Sequence, residues 1–552
     1  MPEKLVIIGG VAAGMKTAAR AKRVNRNLDI TVFQDENEIS YASCGLTYYI
    51  SGIIPERESL VHRTADQMKD KSSINVNINH EVVDINPESK QLTVLDKVNN
   101  VEFTVPYDKL VIATGTINNK INIDGIESDN VHYLNSIIDA DAIKNTIKNA
   151  KKAVILGAGF LGIELAESFS HLGIDTTLIV KSDQILRNFD REIAEYVARY
   201  VKEKNVKILT SEDVLRFEVD NTSRVNKVIT TNYEVDTDIV VICKGSTPNS
   251  QLVRNSSIEI GPSGAIVVDK HMQTSVKDIY AGGDCAQSTS LITNKPINYS
   301  SGSIANRQGR VIADNICGIS TTYEGSLRSR ILKFYDMTIA KSGISEKEAI
   351  QEGYEYESIV VPGNDKAHYF PGSDKIIIKM IAEKGTHRIL GTQIVGKGEV
   401  SKRIDIAAVA MTTNMTTDQL SNVDLTYAPP YSSAMDVIIT TANALTNKLI
   451  GKFETISVLE LLDKQQKSIE DVLLLDVRSP EEYNTSHVKG AINLPFSTLD
   501  KSMLTLDKNK EIITICNIGR QGYLAYKKLK NNGFNNVKSL EGGLLTWLGE
   551  LE

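Results

Sequence analysis

Cys44 stands in SYASCGLTYYISG (residues 40–52), among small and polar residues. The 552-residue chain has four other cysteines, Cys243, Cys285, Cys317 and Cys516, all far along the sequence and none in a CxxC pair. That spacing excludes a zinc ribbon, a disulfide framework and a local redox pair. A lone thiol can complete a redox cycle only with an atom borrowed from outside the chain. The choices are a mixed disulfide with a substrate thiol, a persulfide, or a sulfenic acid. The run GLTYYIS that follows Cys44 predicts a helix, whose N-terminus would favour the reactive thiolate. The eight histidines show no metal-ligand spacing, so no metal site is expected.

Stepping outward, KLVIIGGVAAGMKTAARAKRV (residues 4–24) reads as a strand, a turn with Gly9, Gly10 and Gly14, and a helix; DITVFQDE follows as a second strand. The unit recurs at 151–180, where Gly157, Gly159 and Gly162 complete a GxGxxG pattern with Phe160 and Leu161 between them. In each unit the first glycine permits the tight turn and the last permits close helix–sheet packing. The helix N-terminus then offers N–H groups to a pyrophosphate. Two such units imply two dinucleotides. YDKLVIATGT and VKDIYAGGDCA place Thr114, Gly115 and Asp284 at strand C-termini, where ligands of open α/β sheets lie. The ribose position after the second strand is Gln34, with Asp35 beside it, in the first unit. In the second unit Val180 and Lys181 offer no carboxylate and one cation, which predicts use of NADPH along with NADH.

Length calls for three or four domains. Composition is that of an ordinary globular protein, 41% hydrophobic and 24% charged. A net charge of −7 argues against nucleic-acid binding. No apolar run is long enough for a bilayer, and the N-terminal residues do not read as a secretory signal, so a reducing cytoplasm and no membrane partner are expected. Residues 325–445 change texture toward α+β, with candidate strands ILKFYDMTIAKSG, YESIVVPG and DKIIIKMIAEKGTHRILGTQIVG and the helix RIDIAAVAMTTN. TNKLIGKFETIS (446–457) reads as a linker before a last α/β unit that starts at DVLLLDVR.

Residues 1 to about 445 resemble the flavin-dependent pyridine-nucleotide disulfide reductases of the single-cysteine branch, and within it the coenzyme A disulfide reductases. The motifs that carry this are GGVAAG, SYASCGLTYYISG, GAGFLGIELAE, IYAGGDCA, ANRQGR, HYFPG and YAPPYSSAMD. Residues 456–552 resemble a rhodanese domain through LLDVRSPEEY, SHVKGAINLP, CNIGRQG and LEGGLLTW. The fold class implied is α/β: two Rossmann-like FAD and NAD(P) domains, an α+β dimerisation domain and a C-terminal α/β rhodanese domain. The boundaries read as 1–120 and 246–324 for the FAD domain, 121–245 for NAD(P)H, 325–447 for dimerisation and 456–552 for rhodanese. The resemblance puts FAD on Gly9, Gly10, Ala13, Gly14, Gln34, Asp35, Thr114, Gly115 and Asp284. It puts NADPH, NADH or both on Gly157, Gly159, Phe160, Leu161, Gly162 and Lys181. Coenzyme A, held covalently or non-covalently, needs a cationic site for its phosphates; Arg23, Ser40, Ser43, Lys71, Asn306, Arg307 and Arg310 are its candidates. Tyr369 and Tyr427, supplied by the partner subunit of a homodimer, would help activate or protonate the leaving thiolate beside Cys44. The family often has Tyr-Tyr where this chain has Tyr369-Phe370. Cys516 would carry sulfane sulfur in a loop with Gly519, Arg520 and Gln521, above an Asp476–Arg478 pair; Gln521 stands where the family usually has Arg.

The function implied is NAD(P)H-dependent reduction of coenzyme A disulfide, coenzyme A persulfide or polysulfide. Two alternatives stay open: an NAD(P)H oxidase or peroxidase working through a Cys44 sulfenic acid, and a sulfur carrier or redox sensor. Oxidase and peroxidase relatives carry a histidine in the first glycine loop; here that loop is Val11-Ala12-Ala13.

Overall fold

The computed structural model describes residues 2–467 and 472–552; Asp471, which opens the expected strand DVLLLDVR, lies outside them. The chain forms two compact units, Met1–Lys181 with Asn205–Ser326, and Ser182–Lys204 with Leu327–Glu552. Among the described residues no helix is long and apolar enough to cross a membrane.

The first unit holds two parallel five-stranded sheets in which four strands follow the same order, while the fifth comes last in the chain in one and first in the other. In one, the central strand Lys4–Ile8 lies between Asp29–Phe33 and Lys109–Ile112, with Asn75–Asn77 and Ile279–Ala281 at the edges. In the other, Lys152–Leu156 lies between Asp175–Ile179 and Ile239–Ile242, with Lys207–Leu209 and Val131–Tyr133 outside them. Both central strands are apolar runs buried on both faces, as helix-covered parallel sheets require. Each is followed by its glycine turn and a helix, Ala12–Val24 or Phe160–His171. A three-stranded antiparallel meander accompanies each sheet, His80–Asn86 to Val101–Pro106 in one and Val214–Val219 to Glu234–Asp236 in the other. The helix Gly302–Ile316 packs on Ala12–Val24 closely enough that a Cβ at Gly309 would stand 2.6 Å from the Ala13 carbonyl oxygen.

In the second unit, five antiparallel strands run in the order Arg330–Phe334, Met337–Gly343, Ile389–Gly396, Lys375–Glu383, Tyr356–Asn364. The candidate strands ILKFYDMTIAKSG and DKIIIKMIAEKGTHRILGTQIVG are therefore each a hairpin. The breaks fall where the backbone turns left-handed, at Tyr335 (φ 53°) and at Gly385 and His387 (φ 80° and 62°). The C-terminal part is a parallel sheet, Thr455–Ile456, Val537–Leu540, Glu511–Ile515, Val472–Asp476, Ile492–Asn493.

Two sequence expectations need correction. Segment 446–457 is not a linker. It finishes the helix Val437–Leu449, buries Phe453 edge-on against Tyr523 and Tyr526, and pairs Thr455–Ile456 with the last sheet. Segment 182–204, read as part of the second nucleotide domain, belongs to the antiparallel unit. There the fully buried Lys379 takes carboxylates from Asp190 (3.3 Å), Glu192 and Glu346 (2.8 Å), so the charge of that strand requires the acids at the start of helix Arg191–Glu203.

Candidate active site

Cys44 lies on a single 3-10 turn, Ser43–Gly45, and its side chain is exposed. The helix after it, Leu46–Ile50, is only one turn long, so the expected local helix dipole is short. A longer helix takes its place: a Cβ built on Gly302, the first residue of Gly302–Ile316, would stand 3.9 Å from Cys44 Sγ. The Ser301 N–H, just before it, donates to Asp284 Oδ1 at 3.1 Å. The fifth residue after Cys44 is Tyr49, buried, with its hydroxyl donating to Asp141 Oδ1 at 2.9 Å; Arg57 clamps the same carboxylate and Glu38. The turn is thus fixed and has no thiol partner. Among the described residues all five cysteines are free. Burial pushes the Cys243 thiol up to about 12 and also raises Cys285 and Cys317, so none of these three competes as a thiolate.

A cavity of about 750 Å³ runs beside this turn, lined by Gly9, Val11–Ala13, Ser43, Thr114, Gly115, Asp284 and Gly302. Gly9 has φ 103°, and a Cβ there would stand 2.1 Å from the Ala113 oxygen; one at Gly14 would stand 1.9 Å from the Gly9 oxygen. The backbone is drawn tight on the protein side, while a Cβ on Gly115 would meet nothing within 4 Å on the other. Gln34 lines the cavity, with its amide also tied to the protein. Its Oε1 accepts the Gly10 N–H at 2.7 Å and its Nε2 donates to Asp35 Oδ1 at 3.0 Å. The carboxylates at this end are Asp35 and Glu36, and burial with the neighbouring Asp35 and Asp139 holds Glu36 above the usual carboxylate range. An acidic end accepts ribose hydroxyls and repels a 2′-phosphate, so these acceptors fit FAD.

The second turn repeats the geometry. Gly157 has φ 110° with the Cys243 oxygen 2.5 Å from its would-be Cβ, and Gly162 has the Gly157 oxygen at 2.0 Å. Gly159 faces open space, with nothing within 4 Å, and Phe160 and Leu161 begin the helix behind it. Lys181 is paired rather than free: its Nζ is 3.0 Å from Asp213 Oδ1.

The coenzyme A candidates scatter. Ser43 adjoins Cys44, and Ser40 sits half-buried with φ 49°. Arg23 and Lys71 are exposed at the ends of their helices. Asn306, Arg307 and Arg310 are exposed on the helix that reaches Cys44. Asn306 Nδ2 already donates to the Gly302 oxygen (2.8 Å), Arg307 stacks over Tyr323, and Arg310 Nε lies 3.7 Å from Asp314.

In the second unit Tyr369 and Tyr427 are exposed on separate loops, and a hydrogen bond between their side chains pushes the Tyr427 phenol up. What joins those loops carries no sequence motif. Arg403 is wholly buried; it grips Asp436 with Nε (3.2 Å) and Nη2 (2.7 Å) and donates to the Asp365 carbonyl, so one guanidinium fastens both loop bases.

Cys516 is buried under its loop, with the Gly522 N–H donating to Sγ at 3.2 Å. Asp476 and Arg478 pair beneath it, and Arg478 Nη1 reaches Asn517 Oδ1 at 3.2 Å. Gly519 turns left-handed (φ 85°) to start the helix Arg520–Asn531; Arg520 and Gln521 are exposed. A cavity of about 850 Å³ is lined by Tyr369 and Tyr427 together with Ile518, Gly519 and Arg520, but not by Gln521.

The pyridine nucleotide-disulphide oxidoreductase model matches residues 3–303, its dimerisation-domain model 330–438, and the rhodanese-like domain model 457–550. An NAD(P)H sulfur oxidoreductase (CoA-dependent) from Pyrococcus abyssi is 34% identical over 444 residues, 80% of this chain and 98% of that relative. The structure of an NAD-dependent persulfide reductase from A. fulgidus is 39% identical with a TM-score of 0.94, covering 99% of this chain and all of that one. Reduced Bacillus anthracis CoADR-RHD is 32% identical with a TM-score of 0.94, covering 99% of this chain and 98% of the other.

Proposed function

This chain belongs to the pyridine nucleotide-disulphide oxidoreductase family, and from that premise we propose that it uses NAD(P)H to reduce coenzyme A disulfide, coenzyme A persulfide or polysulfide. The observation that carries this reading is the exposed, unpartnered Cys44 held at the start of Gly302–Ile316 beside the nucleotide cavity. The names of the relatives point to the same substrates. Bound in that cavity, a flavin supplies the two-electron relay between nicotinamide and sulfur.

Cys44 thiolate attacks one sulfur of coenzyme A disulfide; a Cys44–S–S–coenzyme A bond forms and the other coenzyme A leaves as thiolate. Two electrons from NAD(P)H then cleave the mixed disulfide, releasing the second coenzyme A thiol and restoring Cys44. The helix start at Gly302 lies against Cys44 Sγ in both halves. In a homodimer, the Tyr369–Tyr427 pair of one subunit protonates the leaving thiolate at the other. Cys516, its charge held by the Gly522 N–H, accepts sulfane sulfur from a coenzyme A persulfide or passes it back. The cavity shared by the tyrosine pair and the Cys516 loop gives that exchange a common space. The loop Val11-Ala12-Ala13 has no acid–base group for peroxide, which disfavours the oxidase or peroxidase alternative.

Mass spectrometry of the oxidised protein before and after dithiothreitol tests the reading. The expected adduct on Cys44 is coenzyme A or sulfur; a single added oxygen would favour the peroxidase. Cys44→Ser should abolish all NAD(P)H-linked reduction, while Cys516→Ser should spare coenzyme A disulfide and slow polysulfide. Equal losses in the two variants would overturn the division of labour.

A further inference from the structure

The strand Asp175–Ile179 ends at the place where a dinucleotide on the Gly157–Gly162 turn presents its adenosine ribose. Val180, the next residue, is buried and apolar. Lys181 reaches the same place but is paired with Asp213 at 3.0 Å, the two side chains being 75% and 49% exposed. Asp213 immediately precedes the strand Val214–Val219, and its backbone is held by Thr231: its N–H donates to Thr231 Oγ1 (3.3 Å) and its carbonyl accepts the Thr231 N–H (3.0 Å). The backbone that carries the carboxylate is therefore held on a short side chain, while the lysine has a long stem. On the other side of the glycine turn, Lys244 follows the strand Ile239–Ile242 and interacts electrostatically with both Asp213 and Lys181.

We propose that Lys181, Asp213 and Lys244 select between NADH and NADPH, with Asp213 the specificity-determining carboxylate. This rests on the turn at 157–162 being the NAD(P)H site. An exposed ion pair is weak, so a ligand group can displace either partner. A 2′-phosphate, carrying about −1.5 to −2 charge, draws Lys181 and Lys244 to itself and is opposed by Asp213. A 2′-hydroxyl instead donates to Asp213, the carboxylate that the strand end itself lacks. Two cations against one carboxylate leave one net positive charge, so neither nucleotide is excluded and the unaltered protein takes both.

The test is calorimetric titration of the FAD-loaded protein with NAD⁺ and NADP⁺, alongside kcat/KM for NADH and NADPH. D213N should tighten NADP⁺ about 5- to 10-fold, from loss of one repulsive charge, and weaken NAD⁺ about 3- to 5-fold, as a charged hydrogen-bond acceptor becomes a neutral amide oxygen. K181M should do the reverse, weakening NADP⁺ roughly tenfold and leaving NAD⁺ unchanged or tighter. G159A serves as the control for the site itself. If it weakens both nucleotides while D213N and K181M leave their ratio unchanged, the selector is wrong. If G159A weakens neither, the assignment of the site beneath it is wrong.

Discussion

Gly159→Ala separates what the fold needs from what the nucleotide needs. A Cβ at Gly157 would stand 2.5 Å from the Cys243 oxygen, and one at Gly162 would stand 2.0 Å from the Gly157 oxygen, so both glycines are dictated by the protein. A Cβ at Gly159 meets nothing within 4 Å, and its backbone (φ −79°, ψ −167°) is one that alanine adopts freely. Alanine is a poorer N-cap than glycine, but it also restricts the unfolded chain; the two effects offset to within about 1 kcal/mol. The nucleotide-free G159A protein should therefore melt close to the unaltered one. What the methyl group does fill is the space through which a pyrophosphate approaches the first N–H groups of Phe160–His171. Losing one charge-assisted hydrogen bond there costs about 1.5–3 kcal/mol, or roughly 10- to 150-fold in NAD(P)H affinity. Gly162→Ala, by contrast, should lower the melting temperature and nucleotide affinity together. Thermal melts of both variants, paired with NADH and NADPH titrations, make the comparison. A G159A protein that binds nucleotide as tightly as the unaltered one, or melts as early as G162A, would refute the reasoning.

Arg403→Lys keeps the charge but loses the two-pronged grip on Asp436 and the tie to Asp365. Turnover of coenzyme A disulfide should fall and its alkaline limb move to lower pH as the Tyr369–Tyr427 bond loosens, while NAD(P)H oxidation by a small artificial acceptor holds. Lys379→Met leaves Asp190, Glu192 and Glu346 facing one another without a cation. Chemical denaturation at neutral pH should show a loss of about 3–5 kcal/mol. Burial raises Asp190 and Glu192, so they take up protons more readily folded than unfolded, and the loss should shrink as pH falls toward 5. Glu348 behaves in the opposite sense: against the effect of burial, Lys341 and Arg328 hold it below its ordinary value of 4.5. Its contribution is present above that value and lost as pH falls through the lower folded one, so Glu348→Gln should flatten the acid limb of a stability–pH curve.

The features legible in the sequence are those whose cause is local. The first and last glycines of both nucleotide turns, Gly9, Gly14, Gly157 and Gly162, are forced by backbone oxygens a few residues away or beside the adjacent strand, so their spacing carries the signal. Asp476 and Arg478 are two residues apart and pair across that gap. What escaped reading is set by long-range partners that leave no period or motif. Gly302 against Cys44, Asp213 against Lys181 and Arg403 against two loop bases are products of topology. Gln34 shows a subtler limit. Its position at the strand end was readable, but not that its amide would accept the Gly10 N–H while it lines the cavity beside Asp35 and Glu36. Phe453 was lost among the polar residues of 446–457, although two aromatic partners bury it.

The attachment of the rhodanese-like part bears on how sulfur moves. Tyr356–Asn364 is an edge strand of the antiparallel sheet, and an open edge invites pairing. Here the edge is used: the Gly542 N–H donates to the Val360 oxygen (3.1 Å) and the Val360 N–H donates to Glu541 Oε2 (3.2 Å). Glu541 is buried and also takes Lys448 at 2.8 Å and the Thr455 hydroxyl at 2.5 Å. Two residues further on, Leu544 donates its N–H to the Cys516 oxygen at 2.9 Å, and a Cβ on Gly543 would stand 2.2 Å from that oxygen. One short segment thus fixes the Cys516 loop to the strand that leads into the Tyr369 loop. A domain on a free tether would have to swing to exchange sulfur with a thiol held near the tyrosine pair. A domain sewn to the sheet at Glu541 and Gly542 cannot swing without breaking a buried, fully hydrogen-bonded carboxylate. On the proposed reading the moving part is then the substrate, and the cavity of about 850 Å³ lined by both the tyrosine pair and Arg520 is the space that reading assigns to it.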